Sequence, residues 1–371
     1  MLRWANDFPE TARAVADGIA AGWHLGGQLY VSLQGRTVLD VAVGHSEPGR
    51  LMSSDDLMLW LSAGKPVTAI ALAALLERQR IDVNQRVAEF LPGFGQAGKG
   101  EVTIRHLLTH TAGFRTADAL PETLEWNEML AAIDATPVEE GWTPGEKAGY
   151  HLAASWFVLG ALIEYLANGA FAEYLHAEFL GSAGLSDTFA AMESSTFARL
   201  AQRIVPVYTT FGGKLDPHPF WNSADYCARP RPGSNLRGPV RSLGRFYEQL
   251  LGFIGSTPKG WPSEAAVHVW TSRQRTGLYD HTLKGEADWA YGFLMQPKEA
   301  RTLGQAPYSY GAQSSPATFG HSGNQCSSAF ADPAHGLVVA WVFNGRPGER
   351  LHQIRAAAMN RAIYADLALG G

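Results

Sequence analysis

The stretch Leu59-Trp-Leu-Ser-Ala-Gly-Lys-Pro-Val-Thr-Ala-Ile-Ala-Leu-Ala-Ala-Leu-Leu-Glu77 joins a polar pair, Ser62 and Lys65, to a long apolar run. Alanine and leucine dominate the run, so the pattern predicts a helix that ends near Arg80, with Pro66 in its first turn, where a missing amide costs little. Side chains three residues apart project from one face of a helix. A desolvated lysine that loses its proton can accept the proton of a serine hydroxyl, which makes the pair a candidate nucleophile and base.

The Ser-x-x-Lys pattern alone is weak, because Ser256-Thr-Pro-Lys259 matches it equally well. The second pair lies among glycines and prolines that disfavour a stable helix, which indicates a surface loop. Ser62 itself has an ordinary interpretation as an N-cap serine beside a solvated lysine. The chain contains no Gly-x-Ser-x-Gly elbow. Ser62 is therefore the best candidate nucleophile in this sequence.

Bulk properties narrow the function classes. The 371 residues carry a formal net charge of −5, so the composition does not indicate the basic surface that binds nucleic acid or an anionic membrane. The N-terminus lacks the basic start of a signal peptide, and no apolar run reaches the length of a membrane span. Cys227 and Cys326 alone cannot build a disulfide framework or a paired metal site. We expect a cytoplasmic, single-chain enzyme without metal or cofactor.

Two hydrophobic periods organise the chain. Period-2 runs cover residues 28–33 and 36–43 around the turn Gln34-Gly35, and they return in 291–295, 327–331 and 336–343. Helical patterns cover 8–23, 124–134, 153–167, 171–179, 240–254 and 351–367. The pattern predicts an α+β fold, an antiparallel β-sheet flanked by helices with an inserted mostly α-helical domain. Residues 1–80 and 240–371 would form the sheet domain, and 81–239 the helical insertion.

Two other motifs suggest chemistry that their context does not support. Gly93-Phe-Gly-Gln-Ala-Gly-Lys-Gly100 has the glycines of a phosphate loop but lacks the preceding strand and the Ser or Thr after the lysine. His106 and His110 are spaced as metal ligands on a helix would be, without the adjacent Glu of zinc peptidases or an evident third ligand. We interpret both histidines as packing and backbone-bonding residues of a turn.

Two further stretches support the Ser62 hypothesis. Trp142-Thr-Pro-Gly-Glu-Lys-Ala-Gly-Tyr150 presents a tyrosine before a helix, and nearby lysines would favour its phenolate as a base. An interface aromatic is the ordinary alternative. In Phe319-Gly-His-Ser-Gly-Asn324, glycines beside a strand leave amides free for an oxyanion hole, although a glycine bulge at a strand start explains them too.

In this order the stretches resemble the serine β-lactamase-like family, in particular class C β-lactamases, family VIII carboxylesterases and penicillin-binding-protein-like serine hydrolases. The likeness spans most of the chain and adds these matching segments: Ile104-Arg-His-Leu-Leu-Thr-His-Thr-Ala-Gly113, Trp142-Thr-Pro-Gly145, Leu159-Gly160, Ile163-Glu164, Leu185-Ser-Asp-Thr188 and Asp332-Pro333. It implies the same sheet with an inserted helical domain and an active site between them.

The resemblance also implies roles for individual residues. Ser62 would be the nucleophile, and Lys65 and Tyr150 would share the duties of general base and acid. His321, Ser322 and Gly323 would stand where penicillin-recognising relatives carry Lys-Thr-Gly. The backbone amides of Ser62 and Asn324 would form the oxyanion hole. Attack of Ser62 would give an acyl-enzyme that a second nucleophile resolves.

Two departures from the family pattern bear on the substrate. Leu152 replaces the amide residue of Tyr-x-Asn, and His321 replaces a fixed lysine cation with a group that is neutral or partly charged near pH 7. Both changes weaken recognition of a carboxylate-bearing β-lactam. We therefore expect a carboxylesterase for small or medium esters.

Three alternative functions rank behind the carboxylesterase. The second is a transacylase that passes the acyl group to an amine or alcohol, with an acceptor pocket lined by aromatic residues such as Trp221, Tyr226, Trp261, Trp270 and Trp289. A β-lactamase or peptidase is third. A non-catalytic acyl-binding sensor is fourth.

Overall fold

A seven-stranded antiparallel sheet organises the computed structural model, which describes residues 3–298 and 308–369. The strands are β1 (Gly26–Leu33), β2 (Arg36–Glu47), β3 (Arg50–Leu51), β4 (Met58–Leu59), β5 (Tyr208–Thr209), β6 (Asp216–Pro217), β7 (Arg237–Gly238), β8 (Tyr279–Asp280), β9 (Gly285–Glu286), β10 (Leu294–Met295), β11 (Phe319–Gly323), β12 (Ser327–Asp332), β13 (Leu337–Phe343) and β14 (Gly345–Arg346). The main sheet has the order β10-β11-β12-β13-β1-β2-β3.

Helices cover the sheet and fill the middle of the chain. They are α1 (Pro9–Ala20), α2 (Lys65–Gln79), α3 (Ile104–Leu108), α4 (Trp126–Ala135), α5 (Ala154–Ala167), α6 (Phe171–Glu173), α7 (Ser194–Leu200), α8 (Ala224–Ala228), α9 (Val240–Leu250), α10 (Glu264–Thr271) and α11 (Glu349–Asp366). The predicted α+β fold with an antiparallel sheet and many helices is confirmed. The proposed division into two domains stays a prediction.

Strands from the two ends of the sequence meet at the centre of the sheet. The β1–β2 hairpin turns at Gln34 and Gly35, whose φ angles of 51° and 72° suit the turn geometry that matches strand twist. β1 then pairs with β13 from Gly27 opposite Phe343 to Leu33 opposite Leu337. A sheet built from N- and C-terminal segments is what the period-2 pattern predicts.

Strand β13 shows why both faces of the sheet are covered. All seven of its residues are buried. Leu337, Val339 and Trp341 belong to a cluster with Met359 and Ile363 of α11. The alternate residues of the strand join the larger core that contains α2 and α9. Each apolar side chain buried in this way contributes about 1.5–3 kcal/mol relative to an exposed one.

Some predicted bounds are wrong, for local reasons. The strand predicted at 291–295 is only Leu294–Met295, because Gly292 has a φ of 80° and its backbone closely approaches Ala69. The helix predicted at 171–179 changes after α6 into a π-helical turn, Tyr174–Leu180. The helix predicted at 240–254 ends at Leu250.

No single helix in the described ranges is both long and apolar enough to cross a membrane. One pair, Ala154–Ala167 and Phe171–Ala183, passes that test by length and composition together but is bent by 79°.

Candidate active site

Ser62 lies in a short 3₁₀ turn, Leu61–Gly64, that precedes α2. The sequence placed it at the start of the helix itself, but Leu61 has a φ of 51° and the α-helix begins only at Lys65. A left-handed non-glycine residue costs on the order of 1 kcal/mol and persists where surrounding contacts hold it. One such contact is the hydroxyl of Ser327, which donates to the Trp60 carbonyl at 2.7 Å. The turn carrying Ser62 is thus fixed against strand β12.

Lys65 is fully buried and its amine has three hydrogen-bond partners. Nζ lies 2.9 Å from Ser62 Oγ, 2.8 Å from the carbonyl of Leu152 and 2.8 Å from the carbonyl of Gly233. Burial lowers the pKa of Lys65 to about 7, and the charge of Asp118 opposes that shift. In the neutral amine, two N–H groups can serve the two carbonyls. The lone pair then faces Ser62 Oγ, which is the arrangement that a general base requires.

Tyr150 stands beside the pair, with Lys65 Nζ 5.4 Å from the centre of its ring. Burial raises the pKa of Tyr150 well above its usual range, and a hydrogen bond with Ser62 opposes the shift only in part. The prediction that neighbouring lysines favour the phenolate is therefore wrong. Lys147, the nearby lysine in sequence, instead donates to the carbonyl of Gly141. Tyr150 is a protonated phenol that can give a proton but is a poor base.

A buried ion pair fixes the backbone of Tyr150. Its amide donates to Asp280 Oδ1 at 2.9 Å, and Arg275 Nη2 donates to the other oxygen of Asp280 at 3.0 Å. Arg275 also donates to the carbonyls of Thr109 and Ala287. Removing one partner of such a pair leaves an uncompensated buried charge, so the pair holds the segment that carries Tyr150 firmly. The sequence reasoning missed Arg275 and Asp280, since neither lies in a recognisable motif.

Asp118 organises the other side of the lysine. Its carboxylate accepts from the amides of Leu152, Ala153 and Ala154, each at 2.8 Å. These amides begin α5, so a carboxylate from a distant turn caps the positive end of this helix. The cap also fixes Leu152, whose carbonyl binds Lys65. Sequence reasoning missed Asp118 as well, because a cap supplied across 34 residues leaves no local signal.

The side chain of Leu152 is 55% exposed, so this residue reaches Lys65 through its backbone alone. At this position leucine presents an apolar side chain to solvent.

His321 projects from β11 toward Tyr150 and Trp289, with ring centres 5.8 Å and 5.6 Å away. The side chain is only 4% exposed. Burial first, and then the charge of Lys65, lowers the pKa of His321 to about 3. The imidazole is therefore neutral at pH 7, so His321 adds no positive charge to the site.

The end of β11 lies directly against the Ser62 turn. A Cβ atom on Gly323 would fall 2.5 Å from the Trp60 carbonyl oxygen and 3.1 Å from Leu61 Cβ, so only glycine fits. Ser322, between His321 and Gly323, is partly buried. Asn324 is exposed and starts the turn to β12, and its amide has no acceptor among the described residues. Its role in an oxyanion hole, together with the amide of Ser62, stays a prediction.

The histidine pair and the phosphate-loop pattern both have structural roles. Nδ1 of His106 accepts from the Thr103 amide at 3.2 Å, and Nδ1 of His110 accepts from the His151 amide at 3.1 Å. The hydrogen bonds confirm the backbone-bonding role that we assigned to both histidines, although His106 lies in α3 and not in a turn. Lys99, the lysine of the phosphate-loop pattern, donates to the backbone carbonyls of Asp134 and Thr136 and so ties two segments together.

The five aromatic residues suggested for an acceptor pocket are dispersed. Trp289 stacks on Tyr150 at 5.6 Å and belongs to the site. Trp221 and Tyr226 lie in a cluster with Leu61. The other two have core partners: Trp261 stacks on Phe179, and Trp270 contacts Tyr291.

The antiparallel sheet, the flanking helices and the Ser62 turn at the end of β11 define a protein of the β-lactamase/transpeptidase-like fold. The chain belongs to the Beta-lactamase family, whose family model matches residues 11–363. The resemblance inferred from the motifs is confirmed.

Individual relatives are distant. The chain is 25% identical over 354 residues to Esterase EstB of Burkholderia gladioli, a match that covers 86% of this chain and 85% of that protein. It is 34% identical over 142 residues to Esterase/beta-lactamase LipL of Mycobacterium tuberculosis, covering 36% of this chain and only 32% of LipL. A penicillin-binding protein homolog from Caulobacter crescentus shares the fold, with a TM-score of 0.78, 23% identity, and coverage of 97% of this chain and 98% of that one.

Proposed function

We propose that this protein is a serine carboxylesterase that acts through an acyl-Ser62 intermediate on small or medium esters. The observation that carries the proposal is the setting of Lys65: its amine lies 2.9 Å from Ser62 Oγ, is fully buried and has a pKa lowered to about 7. A substantial fraction of Lys65 is therefore neutral at physiological pH and can accept a proton. The esterase names of EstB and LipL support the same class of reaction.

Acylation begins with proton transfer from Ser62 Oγ to the neutral amine of Lys65. Oγ attacks the ester carbonyl carbon, and the C–O π bond opens to an oxyanion. The amides of Ser62 and Asn324 stabilise that charge, as donors placed before the reaction do in other acyl transfers. This step needs no proton on the ester itself.

Tyr150 then completes the step. Its hydroxyl donates a proton to the leaving alkoxide as the ester C–O bond breaks, and the phenolate recovers a proton from the Lys65 ammonium. Ser62 is left acylated, the alcohol is free, and Lys65 is neutral again. In the second half-reaction Lys65 takes a proton from water as the water oxygen attacks the acyl carbon. The Lys65 ammonium then gives a proton to Ser62 Oγ as the acyl C–O bond to Ser62 breaks, which releases the acid and restores Ser62.

The recognition positions favour an ester over a β-lactam or a peptide terminus. His321 is a neutral imidazole and Leu152 exposes an apolar side chain, so neither supplies a cation or an amide for a charged substrate. An uncharged ester needs neither group.

Mass spectrometry of the protein after incubation with p-nitrophenyl butyrate tests the proposal. We expect a butyryl adduct on Ser62 in the wild-type protein. The Ser62→Ala variant should show neither the adduct nor hydrolysis of the ester. Ser256→Ala, which removes the exposed serine of the second Ser-x-x-Lys pair, is the matched control and should behave as wild type. Hydrolysis that survives in Ser62→Ala would disprove the proposal.

A transacylase is the second candidate, and the enclosure of the site favours it. Lys65, Tyr150 and His321 are 0%, 7% and 4% exposed, so an acyl group on Ser62 would meet little bulk water. The partition of the acyl-enzyme between water and added alcohols or amines decides between the two. Products of hydrolysis alone, at high acceptor concentration, would remove this candidate.

A further inference from the structure

The second nitrogen of His321 is a buried hydrogen-bond acceptor without a donor. Nδ1 lies 2.6 Å from the carbonyl oxygen of Ser322. Two lone pairs cannot face each other at this distance, so the proton of the neutral imidazole is on Nδ1. Nε2 then carries a lone pair, and within the described residues it is buried and has no partner.

The donors around His321 are already engaged. The three hydrogens of a charged Lys65 match its three acceptors, Ser62 Oγ and the carbonyls of Leu152 and Gly233. The Tyr150 hydroxyl interacts with Ser62. The indole N–H of Trp289 and Nε2 of His110 are also buried without partners, but a donor can rest on an aromatic face. The lone pair on Nε2 of His321 gains no stabilisation from an aromatic face. Among these three neighbouring groups, His321 is therefore the one that needs a hydrogen-bond partner.

His321 stands beside the reacting groups. Side chains two residues apart on a strand share a face, so His321 lies on the same face as Gly323, which abuts the Ser62 turn. Its ring also contacts Tyr150, the residue that protonates the leaving alcohol in the mechanism above. A substrate group beside His321 therefore belongs to the alcohol half of the ester.

We propose that His321 selects esters whose alcohol half carries an additional uncharged hydrogen-bond donor, such as a second hydroxyl. This specificity rests on the proposed esterase function and concerns the same site. The hydroxyl donates to Nε2 and satisfies the unpaired acceptor. A carboxylate meets a lone pair there and is rejected, and an ammonium group is disfavoured by the positive charge that Lys65 acquires when it takes the Ser62 proton.

The test compares hydrolysis of 2-hydroxyethyl butyrate and 2-methoxyethyl butyrate, which share the acyl group and differ by one donor. We expect wild-type kcat/KM to favour the hydroxy ester by roughly tenfold, mainly through KM. His321→Phe keeps an aromatic ring without the acceptor and should lose the preference. His321→Gln keeps an acceptor oxygen and should retain part of it. Each ratio is measured within one variant, so a general loss of activity cancels.

Equal kcat/KM for the two esters in wild type, or a preference that persists in His321→Phe, would overturn the inference. Should the phenylalanine variant fail to fold, the wild-type ratio and that of His321→Gln still decide. If Ser62 hydrolyses p-nitrophenyl butyrate but the enzyme does not discriminate between the hydroxyethyl and methoxyethyl esters, only the role of His321 is refuted. Activity that survives in Ser62→Ala refutes the esterase mechanism and this specificity with it.

Discussion

Two serine–lysine pairs with the same spacing have opposite surroundings in this molecule. Lys65 is fully buried against Ser62 and two backbone carbonyls, whereas Ser256 and Lys259 are both exposed in the loop between α9 and α10. The tetrapeptide alone therefore does not set the charge state of its lysine. Burial of Lys65 disfavours the charged amine, and the segments that supply the two carbonyls lie far away in sequence.

The largest effect expected from this comparison is the loss of activity in Lys65→Met. Removing the amine leaves no group to take the Ser62 proton, so kcat/KM for ester hydrolysis should fall by roughly 10³-fold. Lys259→Met is the matched control and should leave the rate unchanged. Steady-state kinetics on purified variants measure both. Equal losses at the two positions would show that burial does not distinguish the pairs.

Tyr150→Phe separates proton donation from nucleophile activation. In the proposed mechanism the phenol protonates the leaving alcohol, so hydrolysis of an alkyl butyrate should lose about 100-fold in kcat. p-Nitrophenyl butyrate, whose leaving group needs no proton, should lose about tenfold or less. The same variant is assayed on both esters. Equal losses would assign Tyr150 to a different step.

Asp118→Asn tests how the surroundings tune the lysine. The charge of Asp118 raises the pKa of Lys65, so its removal lowers that pKa further. The neutral amine then forms at lower pH, and the acid limb of the pH profile of kcat/KM should move to lower pH. Asparagine still offers one acceptor to the helix amides, so we expect at most about a tenfold change in the plateau rate. An unmoved limb would mean that Asp118 acts only as a helix cap.

The last effect is on stability and not on rate. The pKa of Lys65 is about 7 in the folded protein and near 10.4 in an unfolded chain, so the unfolded state binds more protons between these values. Stability of wild type should therefore rise relative to Lys65→Met by roughly 2 kcal/mol from pH 7 to pH 9. Denaturant titrations at the two pH values measure the difference. Lys259→Met should show no such divergence from wild type, and a constant offset for Lys65→Met would contradict the shifted pKa.

The sequence predicts those parts of the fold and of the site that have a recognisable pattern within a short stretch of residues. The hairpin at Gln34 and Gly35 has turn residues between alternating runs, and β13 is a continuous apolar run. Ser62, Lys65 and His321 lie in short motifs that keep their order along the chain. Such patterns identify elements without any knowledge of what packs against them.

The parts that sequence reasoning missed depend on contacts between distant segments. Asp118 and Asp280 act by accepting backbone amides, which any residue can donate, and Gly233 contributes only a carbonyl. The charge state of Tyr150 was predicted wrongly for a related reason. Lys147 is close in sequence, but burial of the phenol, visible only in the fold, decides its pKa.

The most direct test of the central claim is the pH dependence of wild-type kcat/KM for p-nitrophenyl butyrate between pH 5 and pH 9. Lys65 is the site group whose pKa falls in this window, since that of His321 lies near 3 and that of Tyr150 well above 10. The account predicts a rate that rises with a single apparent pKa of about 7 and then levels off. A flat profile, or a rate still rising as for an ordinary lysine, would contradict it.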